Sequence, residues 1–228
     1  MAGGAGAKGT AADSAAVGSP PNASTSVRDS RDSTTRKVTV LFFGTSLTAG
    51  LGLDPSQAFS TLIAAKSAAE GRPITAINAG LSGETSAGAL RRIEWTLQRP
   101  VDIVVLETGG NDALRALDPS ALNENLLGIV GKIRKAQPRA RILLVEMEAP
   151  PNLGARYTAS FRGAYSSVAK SEHVTLLPFL LDKVAGKPEL NQDDGVHPNV
   201  KGEKIVADNV WRGLKPTVDS VYLEKGAK

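Results

Sequence analysis

Five short apolar runs set what this chain can fold into: VTVLFF (38–43), PITAINAG (73–80), VDIVVLE (101–107), RILLVEM (141–147) and VTLLPFLL (174–181). Each has the length of a strand, and most are too continuously apolar to leave one face wet. The stretches between them carry helical spacing. One covers about 57–69, where Phe59, Leu62, Ile63 and Ala69 share a face, and another covers about 86–98. A third, 119–136, opens on Asp118-Pro119 as cap and first position and closes before Pro138; the last two cover about 156–170 and Pro198 to about Leu214. Buried strands alternating with helices predict an α/β fold: one parallel five-stranded sheet with helices on both faces. Ligands of such sheets bind beyond the carboxyl ends of the strands, so the residues just after these runs are where chemistry is expected.

The flanks read differently. Residues 1–36 are rich in Gly, Ala, Ser, Thr and Asp and contain no Leu, Ile, Phe, Tyr or Trp. Such a segment buries too little surface to offset its ordering entropy and is expected to be a disordered tail or tether. Its Asn22-Ala23-Ser24 matches a glycosylation acceptor pattern. Residues 37–216 are expected to form one domain, and 217–228 a frayed polar tail. With 228 residues and 41% apolar content, the chain is long enough for one substantial core.

Composition excludes several functions. The net charge of +4 comes from 27 basic residues scattered among 23 acidic ones, with few aromatics, which gives no nucleic-acid footprint. The absence of cysteine removes disulfides, thiolate metal sites and Cys nucleophiles, and leaves the redox compartment open. No apolar run reaches the roughly 18–20 residues that span a bilayer, so stable membrane insertion is not expected.

Four strand-end features each meet a different need of acyl transfer. Ser46, in GTSLTAG, follows the first run by two residues past Gly44, where a tight turn presents its hydroxyl at the sheet edge. The same turn could instead bind phosphate or cap a helix. DDGVHP (193–198) supplies a base and its orienter: His197 can take the serine proton, and Asp194, three residues earlier, can hold the imidazole in one tautomer. By itself that segment is also an ordinary turn into a helix. Gly109-Gly110-Asn111-Asp112, after the third run, brings the Asn111 amide to the same edge as an oxyanion donor, or is a Gly-Gly turn with Asp112 as a cap. Gly80, ending the second run, would let its N–H approach a substrate closely.

Together these blocks, with GETSAGAL (83–90), LETGGNDALR (106–115), APPNLGARYTASF (149–161) and DDGVHPN (193–199), resemble the SGNH (GDSL-type) hydrolase family over about residues 37–214. The likeness is to its bacterial thioesterase I/protease I/lysophospholipase L1 and arylesterase branch. The resemblance implies a flavodoxin-like three-layer α/β/α sandwich. It also implies Ser46 as nucleophile, His197 as base, Asp194 as orienter, and an oxyanion hole of Ser46 N–H, Gly80 N–H and the Asn111 side chain. One block departs from the family: Asp usually precedes the nucleophile, and this chain has Thr45, whose hydroxyl could still cap the turn.

The expected substrate is a small-molecule acyl ester or thioester with a short or medium acyl group, and no cofactor or metal is called for. Candidate substrate contacts are Thr45 and the loop residues Pro151, Asn152 and Leu153. His173 reads as an edge residue, and Trp95 and Trp211 as packing residues. Alternatives remain open: a non-catalytic flavodoxin-like module holding a flavin or other phosphate at GTSLTAG, or, within hydrolases, a carbohydrate acetylesterase or lysophospholipase. The polar start of the chain would suit a tether left after export, to a periplasmic or secreted location. Export is the expected location, with a cytoplasmic one as the alternative, and the sequence does not indicate an oligomeric state.

Overall fold

The computed structural model describes residues 37–226, so the expected tail at 1–36 and its Asn22 acceptor lie outside the described residues. Its strands are β1 Val38–Gly44, β2 Ile74–Gly80, β3 Ile103–Leu106, β4 Arg141–Val145 and β5 Thr175–Leu177. All pair in parallel, in the order β2-β1-β3-β4-β5. The helices are α1 Ser46–Ala49, α2 Phe59–Ala69, α3 Ser86–Thr96, α4 Gly110–Leu114, α5 Pro119–Ala136, α6 Ala155–Ser171 and α7 Val200–Gly226. Helices α3, α5 and α6 pack side by side as one row, and α2 packs with α7. Rows of helices on both faces explain why Val40, Leu41, Phe42 and Phe43 of β1 and Ile103 to Leu106 of β3 are all at most 1% exposed.

The order of the strands positions the site. From β1 the chain runs outward to β2, then crosses back over β1 to β3, which makes the β1/β3 boundary the switch point of the sheet. Loops leaving neighbouring strands diverge there and open a crevice at the carboxyl edge. Ser46 leaves β1 and Asn111 follows β3, so the two flank that crevice.

Local chemistry moved several boundaries. The stretch expected as a helix from 57 begins at Phe59, because Asp54-Pro55 builds a separate single turn, Pro55–Gln57, in which the Asp54 carboxylate accepts the Ser56 N–H at 2.8 Å. The fifth strand stops at Leu177 rather than 181, since Pro178 has no N–H to offer a neighbour. Leu180 and Leu181 still turn into the core.

The expected polar tail at 217–228 is corrected. Helix α7 runs through Pro216 to Gly226, with Val218 and Val221 buried against the core. Burial of the two valines holds the last turns despite the hydrogen bond lost at Pro216, as do Lys225 on Asp102 at 2.6 Å and Arg141 on Glu224 at 2.7 Å. Trp95 also differs from expectation: it is 75% exposed, because α3 turns Ala89 and Ile93 inward instead. Trp211 is buried and donates its indole N–H to Glu70 at 2.9 Å. Among the described residues no helix is long and apolar enough to cross a membrane.

Candidate active site

Strand β1 delivers Ser46 on a sharp turn. Thr45 is extended (φ −100°, ψ −152°), and Ser46 is the first residue of the four-residue helix α1, which Gly50 ends in the left-handed conformation. The Ser46 hydroxyl oxygen lies 2.8 Å from Nε2 of His197. Across the same ring, Nδ1 lies 2.6 Å from Asp194 Oδ2. A carboxylate only accepts, so Nδ1 carries the hydrogen, and Nε2 is left free to accept the serine proton.

Asp194 also shapes the loop that carries it. Its other oxygen accepts the backbone N–H groups of Val196 and His197, each at 2.9 Å. The His197 N–H, the His197 ring and the Val196 N–H together hold the Asp194 carboxyl at a pKa of about 2, although the side chain is 47% exposed. The loop closes through Gln192 N–H to His197 O at 2.7 Å and an antiparallel bridge between Asn191 and Pro198. The Gln192 amide then donates to Leu51 O at 2.7 Å, fastening the His197 loop to the chain just after the nucleophile. Nothing in the sequence spacing marked Gln192, whose contact spans 141 positions.

The turn under Ser46 rests on a buried acid that the sequence left unremarked. Glu107, fully buried at the end of β3, accepts the Thr45 N–H at 2.7 Å, the Thr45 hydroxyl at 3.0 Å and the Thr48 hydroxyl at 2.8 Å. Burial pushes its carboxyl pKa up, and these hydrogen bonds oppose the rise. Thr45 therefore does not cap the turn, as its hydroxyl was expected to; it makes no capping hydrogen bond and serves Glu107 instead.

Across the crevice, Asn111 sits in the first turn of α4, and its Nδ2 donates to Glu84 O at 3.0 Å. The Gly80 assignment is corrected here. Its N–H donates to Asn78 Oδ1 at 3.0 Å, and it does not line the cavity around Ser46. Its lack of a side chain serves packing: a Cβ there would lie 2.2 Å from Ala49 N and 2.7 Å from Thr45 O. Of the two glycines in that stretch, Gly83 lines the cavity, with Ser46 and Asn111. Its N–H has no protein acceptor among the described residues. Both glycines stand in the same NAGLSGETS stretch; the clue to Gly83 was its place in a loop past the strand end, free of ladder packing.

The cavity holds about 560 Å³. Its walls include Leu51, Leu114, Met147, Phe179, Leu181 and Val196, and Thr45 and Pro151 also border it. Asn152 does not line it, and Leu153 faces a separate, more open groove of about 720 Å³ between α5 and α6. That groove contains neither Ser46 nor His197. His173 lies far from the cavity, beside the start of β5.

A parallel α/β sheet whose switch-point crevice holds a hydrogen-bonded Ser-His-Asp set beside an apolar cavity has the constitution of a serine hydrolase. Comparison with known proteins narrows the class: the chain belongs to the GDSL-like lipase/acylhydrolase family, whose pattern it matches over residues 42–205. It is 41% identical over 180 residues to esterase TesA of Pseudomonas aeruginosa, covering 78% of this chain and 88% of that protein. It is 36% identical over 182 residues to thioesterase 1/protease 1/lysophospholipase L1 of Escherichia coli K12, covering 79% and 85%. The crystal structure of the psychrotrophic esterase EstA from Pseudoalteromonas, inhibited by monoethylphosphonate, superposes with a TM-score of 0.75 at 35% identity, covering 79% of this chain and 98% of that one.

Proposed function

We propose that this chain hydrolyses short to medium acyl esters and thioesters through an acyl-enzyme on Ser46. The observation that carries the reading is the pair of contacts on one imidazole, 2.8 Å to Ser46 Oγ and 2.6 Å to Asp194, at the wall of a largely apolar cavity. In the reaction, Ser46 Oγ bonds to the carbonyl carbon as its proton passes to His197 Nε2. The carbonyl oxygen becomes an oxyanion beside the Ser46 and Gly83 N–H groups and the Asn111 amide. Collapse breaks the bond to the alcohol or thiol, which leaves with the proton from His197. Water then repeats the sequence, giving up its proton to His197 as it attacks the acyl carbon, and releases the carboxylic acid. No step calls for a cofactor.

Gly83 replaces Gly80 as the backbone donor in this scheme because, of the two, it is Gly83 that borders the cavity and has an uncommitted N–H. The relatives named esterase and thioesterase support the substrate class. The apolar walls suit an acyl chain better than a sugar. The rival flavin or phosphate site at GTSLTAG is opposed by Glu107, whose buried acid underlies the turn that an anion would have to occupy.

A fluorophosphonate probe tests the assignment. The expected modified peptide contains Ser46, and labelling of any other residue, or none, removes it. A series of p-nitrophenyl esters from acetate to palmitate is expected to give its highest kcat/KM at or below medium chain length. A maximum at palmitate would contradict the acyl preference while leaving the nucleophile assignment standing.

A further inference from the structure

Arg92 lies on α3, outside the cavity, yet its guanidinium reaches two strand ends of the site and the loop that follows β2. Nε and Nη2 grip the Glu84 carboxylate bidentately at 2.8 and 2.6 Å. Nη1 donates to Ala79 O at the end of β2, at 3.0 Å, and Nη2 donates to Gly44 O at the end of β1, at 3.2 Å. The plane is also held against Phe43, with Cζ 4.1 Å from the ring centroid. Four of five guanidinium hydrogens thus have acceptors, in a fork geometry that an ammonium cannot reproduce. Gly88 completes the seat, since a Cβ there would lie 2.9 Å from Glu84 Cγ.

Glu84 directly follows Gly83, and its carbonyl is the acceptor that orients the Asn111 amide at 3.0 Å. The far side of the same loop is held by Asp112, which accepts the Ser86 N–H at 2.8 Å and the Ser86 hydroxyl at 2.5 Å. The loop that carries Gly83 and supplies the acceptor for the Asn111 amide is therefore anchored at one end by Arg92 and at the other by the neighbour of Asn111. The Arg92–Glu84 pair is largely out of solvent, with side chains 19% and 5% exposed. A buried ion pair is a weak source of stability, because desolvation cancels much of the attraction. Its geometric effect is the larger consequence: it fixes where Gly83 stands relative to Gly44, two residues before Ser46.

We propose that Arg92, through Glu84, is the positioning residue of the oxyanion hole. It sets the Gly83 N–H and the Asn111 amide at the distance from Ser46 that the tetrahedral intermediate needs. Arg92 touches no substrate and acts only through the loop. The proposal rests on the acyl-transfer reading above.

The test compares Arg92→Met, Arg92→Lys and Glu84→Gln in the full chain, with p-nitrophenyl butyrate as substrate and a trifluoromethyl ketone as a probe that forms a tetrahedral adduct. Arg92→Met is expected to lower kcat roughly ten- to a hundredfold with KM within about twofold, as a misaimed donor does. Ketone affinity should fall by the same factor as kcat/KM. Arg92→Lys should recover part of kcat, since one ammonium can satisfy some of the acceptors but not the bidentate grip. Glu84→Gln keeps the shape and one acceptor, and should give an intermediate loss; it decides the matter if Arg92→Met does not fold. A wild-type kcat in the folded Arg92→Met or in Glu84→Gln overturns the proposal, and so does a loss confined to KM. If the fluorophosphonate fails to label Ser46 in the wild-type chain, the acyl-transfer reading itself falls. Labelling of Ser46 with unaffected variants removes only the role of Arg92.

Discussion

The Thr45 hydroxyl lies 3.0 Å from both carboxylate oxygens of Glu107, and through this contact β3 holds the turn that β1 presents. Where the family usually carries an acid before the nucleophile, this chain has a donor, and Glu107 receives hydrogen bonds from Thr45 and Thr48 with no second carboxyl at position 45.

Removing the Thr45 hydroxyl strips a hydrogen bond from a fully buried acid, which costs about 1–3 kcal/mol. Thr45→Val is expected to lower the Tm and to reduce kcat/KM, with Thr45→Ser close to wild type. Glu107→Gln should be worse than either, because its amide NH2 would face the donors that Glu107 now accepts from. Thermal melts and steady-state kinetics on the three variants check this ranking; a Glu107→Gln protein with wild-type melting and turnover would show that the turn stands without the acid.

Ser46→Ala and His197→Ala should each lower kcat by about 10³-fold or more while leaving the Tm within a degree or two, since both side chains act on substrate rather than on the core. Asp194→Ala should differ, because Asp194 also holds the Val196 and His197 N–H groups. Its effect is expected both on kcat and on protease sensitivity of the 191–198 loop. Limited proteolysis beside kinetics separates the two.

The two glycines of NAGLSGETS should fail in different ways. Gly80→Ala forces a Cβ to within 2.2 Å of Ala49 N and is expected to lower the Tm steeply. Gly83→Ala meets nothing within 4 Å, but Gly83 has φ +77°, so the cost is backbone strain of about 1–2 kcal/mol that shifts the donor. Its signature is a fall in kcat with a small change in Tm. The reverse pattern would return the oxyanion role to Gly80.

Glu203, 1% exposed on α7, accepts the Phe59 N–H at 2.7 Å and so caps α2 from another helix. Burial raises its pKa from 4.5 to about 7. An acid with a raised folded pKa holds its proton longer when folded, so stability is highest below the unfolded pKa and falls as pH rises through about 7. The loss is on the order of 3 kcal/mol at about 1.4 kcal/mol per unit. Melting curves between pH 5 and pH 8 should show the wild type losing stability relative to Glu203→Gln, which can still accept the Phe59 N–H but does not titrate. Parallel curves for the two proteins would contradict the raised pKa.

Deleting residues 217–228 would expose core around Val218 and Val221, at about 1.5–3 kcal/mol for each valine, and would break the Lys225–Asp102 contact. The truncated chain is expected to melt well below the full one. An unchanged Tm would restore the view of this segment as a tail.

What the sequence determined by itself was everything that follows from local pattern. The five apolar runs made the sheet, Asp118-Pro119 and Pro138 bracketed α5, and the short DDGVH spacing placed Asp194 on His197, because three residues are near enough for a loop to enforce the contact. Contacts between distant segments were decided by the tertiary structure. Whether Val218 and Val221 are tail or core depends on what α7 lies against, and helical periodicity weakened by Pro216 could not show that. Gly80 and Gly83 look alike as letters three positions apart; only the approach of α1 to the end of β2 makes one a packing glycine and leaves the other's N–H free. Glu107 and Arg92 acquire their roles across 62 and 48 positions, by hydrogen bonds to the turn that precedes Ser46. A buried polar group must find its partners wherever folding brings them, and no spacing rule in one dimension records where that will be.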